Sequence, residues 1–191
     1  MTTGAIVLAA GRSTRMGGPS KLVADLHGRA VVAHVVAAVA AAGLPPPIVV
    51  VGDRAEAVRT ALEGHAARIV TAPDYADGLS ASLRAGIAAV PADWSAALVL
   101  LGDMPRVTPA TLRALAAAAT GEATIAVPVW AGRRGNPVLW GRAHFADLSR
   151  LTGDIGGKAL LAGRAVVEIA AESDGVLIDV DTPAALAALR A

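Results

Sequence analysis

Short apolar runs alternate along this chain with longer stretches in which apolar residues return at helical spacing, and that alternation predicts the architecture. Residues 5–8 form the first predicted strand, after which the chain passes abruptly to glycine and positive charge. A helix is predicted over 29–42, stopped by Gly43 and the run Pro45-Pro46-Pro47. The β-branched run 48–51, bounded by proline and glycine, predicts a second strand. Asp53 is expected to cap a helix reaching about residue 62, and 68–71 to form a third strand. A helix over 79–90 ends at Pro91, and the wholly apolar strand 97–101 closes on Gly102-Asp103. Thr108-Pro109 joins an N-cap to a proline at the first helical position, opening a helix to about residue 119. A strand over 123–127 and shorter extended pieces at 136–139, 165–169 and 176–179 follow, and Thr182-Pro183 repeats the cap-and-proline signal for the last helix.

Uninterrupted apolar strands separated by helices predict an α/β fold, a three-layer αβα sandwich around a mostly parallel, Rossmann-like sheet. Ligands bind such sheets at the carboxyl ends of the strands, so the loops that follow strands carry the information. With 191 residues and no linker, repeat or low-complexity tract, residues 1–191 are expected to form a single domain. Residues 4–10 are apolar but lack a basic segment before them, and are read as a buried strand rather than a leader.

Composition narrows the function classes. Hydrophobic residues make up 54% and charged residues 17%, enough for a large core and against disorder. Aromatics are only 3%, so the core is built from Ala, Val, Leu and Ile, and a stacking platform for single-stranded nucleic acid is not expected. A net charge of +1 leaves no polyanion track and no membrane-binding face, so neither nucleic acid nor membrane is an expected partner. The absence of cysteine removes disulfides, thiolate metal sites and cysteine nucleophiles, and suits a cytoplasmic protein.

Positive charge is concentrated where the fold makes it useful. The segment "AIVLAAGRSTRMGGPSKL", residues 5–22, runs from the first strand into a glycine-rich loop with Arg12, Arg15 and Lys21. It matches neither GxxxxGK[ST] nor GxGxxG. The cations either face water or combine with exposed backbone N–H groups to cradle an anion. Within it, "LAAGRSTRMGGPSKL" resembles the pattern LAxGxSxRMGxxKxL of the MobA-like nucleotidyltransferases, nearest their molybdenum cofactor cytidylyltransferase (MocA-like) branch. These enzymes attach CMP or GMP to molybdopterin and are similar in fold to the nucleotide-diphospho-sugar transferases. The resemblance implies that Leu8, Ala9, Ala10, Gly11, Ser13, Arg15, Gly17 and Lys21 bind the nucleotide, with Arg15 and Lys21 on its phosphates as catalytic cations. The chain carries one more residue between Gly17 and Lys21 than the shorter form of the loop.

Two aspartates stand where a metal would serve such a loop. Asp103 closes "ALVLLGDMP" at the carboxyl rim; it is either a turn residue or a Mg²⁺ ligand facing a triphosphate. In "LIDVDTPAAL", Asp181 either shares capping with Thr182 or approaches the metal, and Asp179 either ends a strand in solvent or joins it. The family resemblance favours Asp181, which gives a Mg²⁺ cofactor held by Asp103 and Asp181, with Asp103 also counted as catalytic. His27, His34, His65 and His144 are scattered in no metal or triad spacing.

Three further segments extend the resemblance over nearly the whole chain. "PDYADGLSASLRAGI" puts Gly78, Ser80 and Ser82 at a helix start, where they either cap the helix or line a site. The stretch resembles G-[ML]-S-x-S-L-x-x-G of the cytidylyl branch, which implies nucleotide contacts by Gly78, Ser80 and Ser82, with Asp74 placed to read the base edge. "RRGNPVLW" and "LTGDIGGKALL" resemble R-G-[HN]-P-V and G-D-x-G-[GA]-[RK], implying an acceptor-binding wall of Arg134, Asn136, Asp154, Gly156, Gly157 and Lys158. Plain turns and a solvated lysine are the alternatives there.

The resemblance therefore implies transfer of CMP from CTP to the terminal phosphate of molybdopterin with release of pyrophosphate. A molybdoenzyme or its chaperone would be the recipient of the product. Guanylyl members carry LAGG where this chain has "LAAG", and the methyl of Ala10 narrows the base pocket toward a pyrimidine. GTP-dependent guanylyl transfer, sugar-1-phosphate nucleotidyl transfer and a non-catalytic molybdenum cofactor carrier remain open alternatives on the sequence.

Overall fold

A computed structural model describes residues 1–11 and 20–190. The elements in chain order are β1 (Thr2–Ala9), β2 (Asp25–Leu26), β3 (Arg29–Ala30), α1 (Val31–Ala41), β4 (Ile48–Val51), α2 (Ala55–Ala61), β5 (Arg68–Thr71) and α3 (Leu79–Ala88). They continue as β6 (Trp94–Leu101), α4 (Pro109–Ala117), β7 (Ile125–Trp130), β8 (Arg133–Arg134), β9 (Val138–Gly141), α5 (Phe145–Leu148), β10 (Val167–Ala170) and α6 (Pro183–Arg190).

The main sheet runs β10-β7-β9-β6-β1-β4-β5, with β8 added to β7. β1 is parallel to β4 and β6, β4 to β5, and β10 to β7; β9 is antiparallel to both β6 and β7. The sheet is thus mostly parallel, and the carboxyl ends of β1, β4, β5, β6 and β7 share one rim. This is the αβα sandwich with a mostly parallel sheet that the apolar strands predict, with one reversed strand at β9.

Strand alternation explains why these runs are apolar throughout. Ala5, Val7 and Ala9 face α1, α2 and α4 through residues such as Val36, Val58 and Leu112. Ile6 and Leu8 face α3 and α5 through Leu83, Ile87 and Leu148. Both faces are covered over Ala5–Ala9, so no position there can be polar without burying an unpaired group, whereas Thr2 and Thr3 sit at the partly exposed start of the strand. The small residues allow close approach: Trp94, at the start of β6, lays its ring directly over Gly4, where a Cβ would collide with it. Gly4→Ala is therefore expected to destabilise the protein by about 1–3 kcal/mol, the usual range for overpacking, measured by urea unfolding.

Several boundaries differ from the sequence expectation, each for a local reason. The helix expected over 29–42 begins at Val31, because Arg29–Ala30 pairs with Asp25–Leu26 in a short hairpin. Its two-residue turn, His27 (φ 52°) and Gly28 (φ 79°), has the positive angles that a tight hairpin demands. Asp53 does not cap α2. Arg54 holds the N-cap position at φ 53° without a side-chain cap, and Asp53 pairs with Arg54 Nε at 3.7 Å. The extended piece expected at 176–179 is largely a 3-10 turn, Asp174–Leu177. Ser173 accepts the Gly175 N–H there, and Gly175 lies against the Arg106 carbonyl, too close for a side chain. Residues 136 and 137 precede β9 rather than open it: the Asn136 N–H donates to the Val176 carbonyl, and Pro137 has no N–H to give. The two Thr-Pro signals form as expected, Thr108 accepting from Thr111 N and Thr182 from Ala185 N, each at 3.1 Å. No helix among the described residues is long and apolar enough to cross a membrane.

Candidate functional site

A cleft of about 680 Å³ opens at the shared carboxyl rim. Its floor comes from Leu8, Ala10 and Gly11 at the end of β1 and from Leu101 and Asp103 at the end of β6. One wall is the 3-10 turn Lys21–Val23, which contributes Lys21 and Leu22. The opposite wall is the turn Tyr75–Asp77 with Gly78, Leu79 and Ser82 at the start of α3, and Asp154 and Asp181 complete the lining.

Backbone links fix Asp103 in place. The Gly102 N–H continues the parallel ladder onto the Leu8 carbonyl at 2.9 Å, and Val180 N–H donates to the Asp103 carbonyl at 2.8 Å. The second link carries the adjacent Asp181 to the same spot, across a sequence separation that spacing alone cannot bridge. Lys21, anchored by buried Leu22, sets its ammonium between the two carboxylates, 2.5 Å from Asp103 Oδ2 and 2.5 Å from Asp181 Oδ1. The Lys21 and Asp103 side chains are only 15% and 14% exposed, and Asp181 is 36% exposed.

The electrostatics of this triad are unequal. Burial works against the Lys21 ammonium, but the charges and hydrogen bonds of Asp103 and Asp181 outweigh it and raise its pKa. Burial also dominates at Asp103 and raises its carboxyl pKa despite Lys21, with the charge of Asp179 adding to the rise. Asp103 Oδ1 is buried and finds no hydrogen-bond partner among the described residues. A poorly solvated carboxylate with a spare oxygen, beside a second carboxylate, is a donor set that fits a hard divalent cation. No cluster of three or more such ligands occurs among the described residues.

Other expected site residues fall in different places. Ser13, Arg15 and Gly17 lie outside the described residues. Leu8, Ala10, Gly11, Gly78 and Ser82 line the cleft, whereas Ala9 points into the opposite core. Ser80, expected at the nucleotide, is fully buried; its hydroxyl donates to the Gly153 carbonyl at 2.7 Å and accepts from Arg84 Nη1 at 3.3 Å. Arg84 also donates to the Leu151 carbonyl at 2.8 Å, and Asp154 Oδ1 accepts the Leu79 N–H at 3.2 Å. Ser80 and Arg84 thus strap the 151–154 loop to the start of α3 and present Asp154 to the cleft. Gly78 (φ 110°) is required at this junction, because a Cβ would lie 2.6 Å from the Gly153 carbonyl.

Asp74 is exposed and outside the cleft lining, its carbonyl accepting the Asp77 N–H at 3.0 Å, while Asp77 lines the cleft in its place. Of the six residues expected to face the acceptor, Asp154 lines the cleft. Gly156 packs under Leu79, and Gly157 against Leu148 and Trp140. Lys158 is exposed; the surrounding protein lowers its pKa by desolvation against the opposing charge of Asp179, an effect that solvent screens. Arg134 is exposed on β8, donating to Glu168 Oε1 at 2.7 Å, and Asn136 uses its N–H on Val176. Tyr75, Asp77, Leu22, Leu79 and Leu101 are lining residues that sequence reasoning missed. Tyr75, the only tyrosine of the chain, two residues ahead of Asp77, was the one available signal.

The MobA-like NTP transferase domain matches residues 5–172. Among curated proteins, the bifunctional protein GlmU of Corynebacterium aurimucosum is 36% identical over 156 residues, 78% of this chain but 31% of that protein. GlmU of Sphingopyxis alaskensis is 35% identical over 139 residues, 72% of this chain and 30% of the relative. The chain thus spans about 30% of the length of the curated relatives it matches. Among solved structures, a nucleotidyl transferase from Methanothermobacter thermautotroptrophicus superposes with a TM-score of 0.86 at 31% identity, covering 99% of this chain and 96% of the other. Rv0371c of Mycobacterium tuberculosis in complex with manganese gives 0.85 at 31% identity, covering 99% and 98%. Molybdopterin-guanine dinucleotide biosynthesis protein A from Archaeoglobus fulgidus, at 17% identity and a TM-score of 0.71, shares the fold. Matched over residues 5–172, the chain belongs to the MobA-like NTP transferase family.

Proposed function

We propose that the protein transfers CMP from CTP to the terminal phosphate of a molybdopterin-type acceptor, releasing pyrophosphate, with Mg²⁺ as cofactor. The observation that carries this reading is the Lys21 ammonium set between Asp103 and Asp181 at the rim of the cleft. An acceptor phosphate oxygen attacks the α-phosphorus of CTP in line; the new P–O bond forms as the bond to the β-phosphate oxygen breaks, and pyrophosphate leaves. The nucleophile is already an anion, so no strong base is needed, and none is present at the triad. What the chain must do is hold two anions together and offset the charge that develops.

Asp103 and Asp181 would hold the metal, which supplies charge neutralisation for the phosphates. The manganese bound by Rv0371c, 31% identical to this chain, supports a divalent ion. Lys21, relieved of its carboxylates, would turn to the leaving pyrophosphate as a point charge, and Arg15 would join it. Asp154, held by the Ser80–Arg84 strap, would orient whatever lies over the start of α3. The methyl of Ala10 in the cleft lining supports a pyrimidine.

Incubation of the protein with Mg²⁺, molybdopterin and each NTP in turn tests the reading. Pyrophosphate is expected with CTP in preference to GTP, ATP or UTP. Release with GTP alone replaces the cytidylyl reading with guanylyl transfer, and release only with a sugar 1-phosphate replaces the acceptor. Tight binding with no pyrophosphate from any NTP would leave a carrier.

A further inference from the structure

The cleft has two unlike sides. Lys21, Asp103 and Asp181 gather charge on one side, while Leu8, Ala10, Tyr75 and Leu79 give the other an apolar surface bordered by the carboxylates of Asp77 and Asp154. A nucleoside triphosphate is divided in the same way, so its base belongs with the apolar side. That side contains one aromatic ring.

The position of the ring depends on a glycine at the end of a different strand. Gly52 directly follows β4, and a Cβ built there would lie 2.5 Å from Tyr75 Cβ, 2.6 Å from Tyr75 Cγ and 2.9 Å from Ala10 Cβ. The backbone of Gly52 is not left-handed, so what this position requires is space. Tyr75 and Ala10 therefore close on Gly52 from two directions and form one continuous wall. The root of the tyrosine packs on the core beneath α3, and the half-buried side chain lines the cleft. Ala10 alone adds one methyl to this wall; Tyr75 adds a ring that touches the same glycine.

We infer that Tyr75, seated against Gly52 and Ala10, is a specificity-determining residue of the nucleotide site. Its ring limits the width open to the base and so sets the preference for a one-ring over a two-ring base. The inference rests on the proposed reading of the cleft as the NTP site, and its test is built so that the two fail differently.

Tyr75→Ala, Tyr75→Leu and Tyr75→Phe are compared with the unaltered protein for equilibrium binding of CTP, UTP, GTP and ATP by calorimetry. The same proteins are compared by kcat/KM for pyrophosphate release with a common acceptor. Tyr75→Ala and Tyr75→Leu are expected to raise the purine-to-pyrimidine ratio at least tenfold in both readouts, with Tyr75→Phe staying within threefold of the unaltered protein. A ratio unchanged within threefold in Tyr75→Leu overturns the inference, even if Tyr75→Ala fails to fold. A shift in Tyr75→Phe as large as that in Tyr75→Leu also overturns it, because the hydroxyl and not the ring would then select. If the unaltered protein binds no NTP, the reading of the cleft fails with it. If it prefers a purine while the ratio still moves with the ring, only the pyrimidine reading fails.

Discussion

Asp103→Ala is expected to lower metal-dependent turnover by at least about a hundredfold while the fold persists, the scale that follows when a preorganised charge at the reacting phosphates is removed. The persistence of the fold has its own physical reason. Burial lifts the Asp103 carboxyl above its ordinary range, which means that the ionised form is costly where it sits. A group whose folded pKa is raised contributes its full stability below the unfolded value, about 3.9, and loses that contribution as pH rises through the folded value. At neutral pH the charged Asp103 is therefore a burden, and Asp103→Asn, which keeps the shape, is expected to be at least as stable as the unaltered protein. The difference closes as pH is lowered below about 4. Lys21 does not confuse this window. Its raised pKa contributes stability below about 10.4 and is lost only as pH rises through its higher folded value. Urea melts of the two proteins at neutral and acidic pH check the sign. An Asp103→Asn protein much less stable at pH 7 would mean that the Lys21–Asp103 pair holds the fold together rather than serving the cleft.

Lys21→Met has an opposite signature on the metal. The ammonium and a divalent ion would compete for the same oxygens, since Lys21 already stands 2.5 Å from one oxygen of each carboxylate. Two like charges forced together at such range repel by several kcal/mol, on the order of 4 kcal/mol per unit-charge pair at 4 Å and an effective dielectric near 20. Turnover in Lys21→Met is expected to fall on the order of a hundredfold, because the charge on the leaving pyrophosphate is no longer met. Binding of Mn²⁺ without nucleotide, read from the loss of its free electron paramagnetic resonance signal, is expected to strengthen at least about tenfold, as the repelling charge is gone. Equal or weaker Mn²⁺ binding in Lys21→Met would show that the lysine does not guard the carboxylates.

The sheet was legible because its strands carry their own evidence. Residues 48–51 and 97–101 are apolar on both faces, and burial on both faces is what the middle of a parallel sheet imposes. Thr108 and Thr182 were legible for the same local reason, since a cap is made within four residues. The pairing of β9 between β6 and β7 was not, because strand order is set by contacts distant in sequence. At the site, Asp103 could be placed by its position after a buried strand, but its meeting with Asp181 depends on the Val180–Asp103 backbone link. Ser80 shows the converse. Its motif suggested a ligand contact, whereas the hydroxyl is spent on the Gly153 carbonyl and the Arg84 guanidinium. Tyr75 escaped because its place depends on the missing side chain of Gly52, in another loop.

The central claim is that Asp103 and Asp181 form a divalent-metal seat from which Lys21 is released to the nucleotide phosphates. Crystals grown with Mn²⁺ and a non-hydrolysable CTP analogue test it through the anomalous signal of manganese. The account predicts a peak within coordination distance of both Asp103 and Asp181, with Lys21 Nζ moved from the carboxylates onto the phosphates. A nucleotide bound with Lys21 still bridging the two aspartates, and manganese elsewhere or absent, would contradict it.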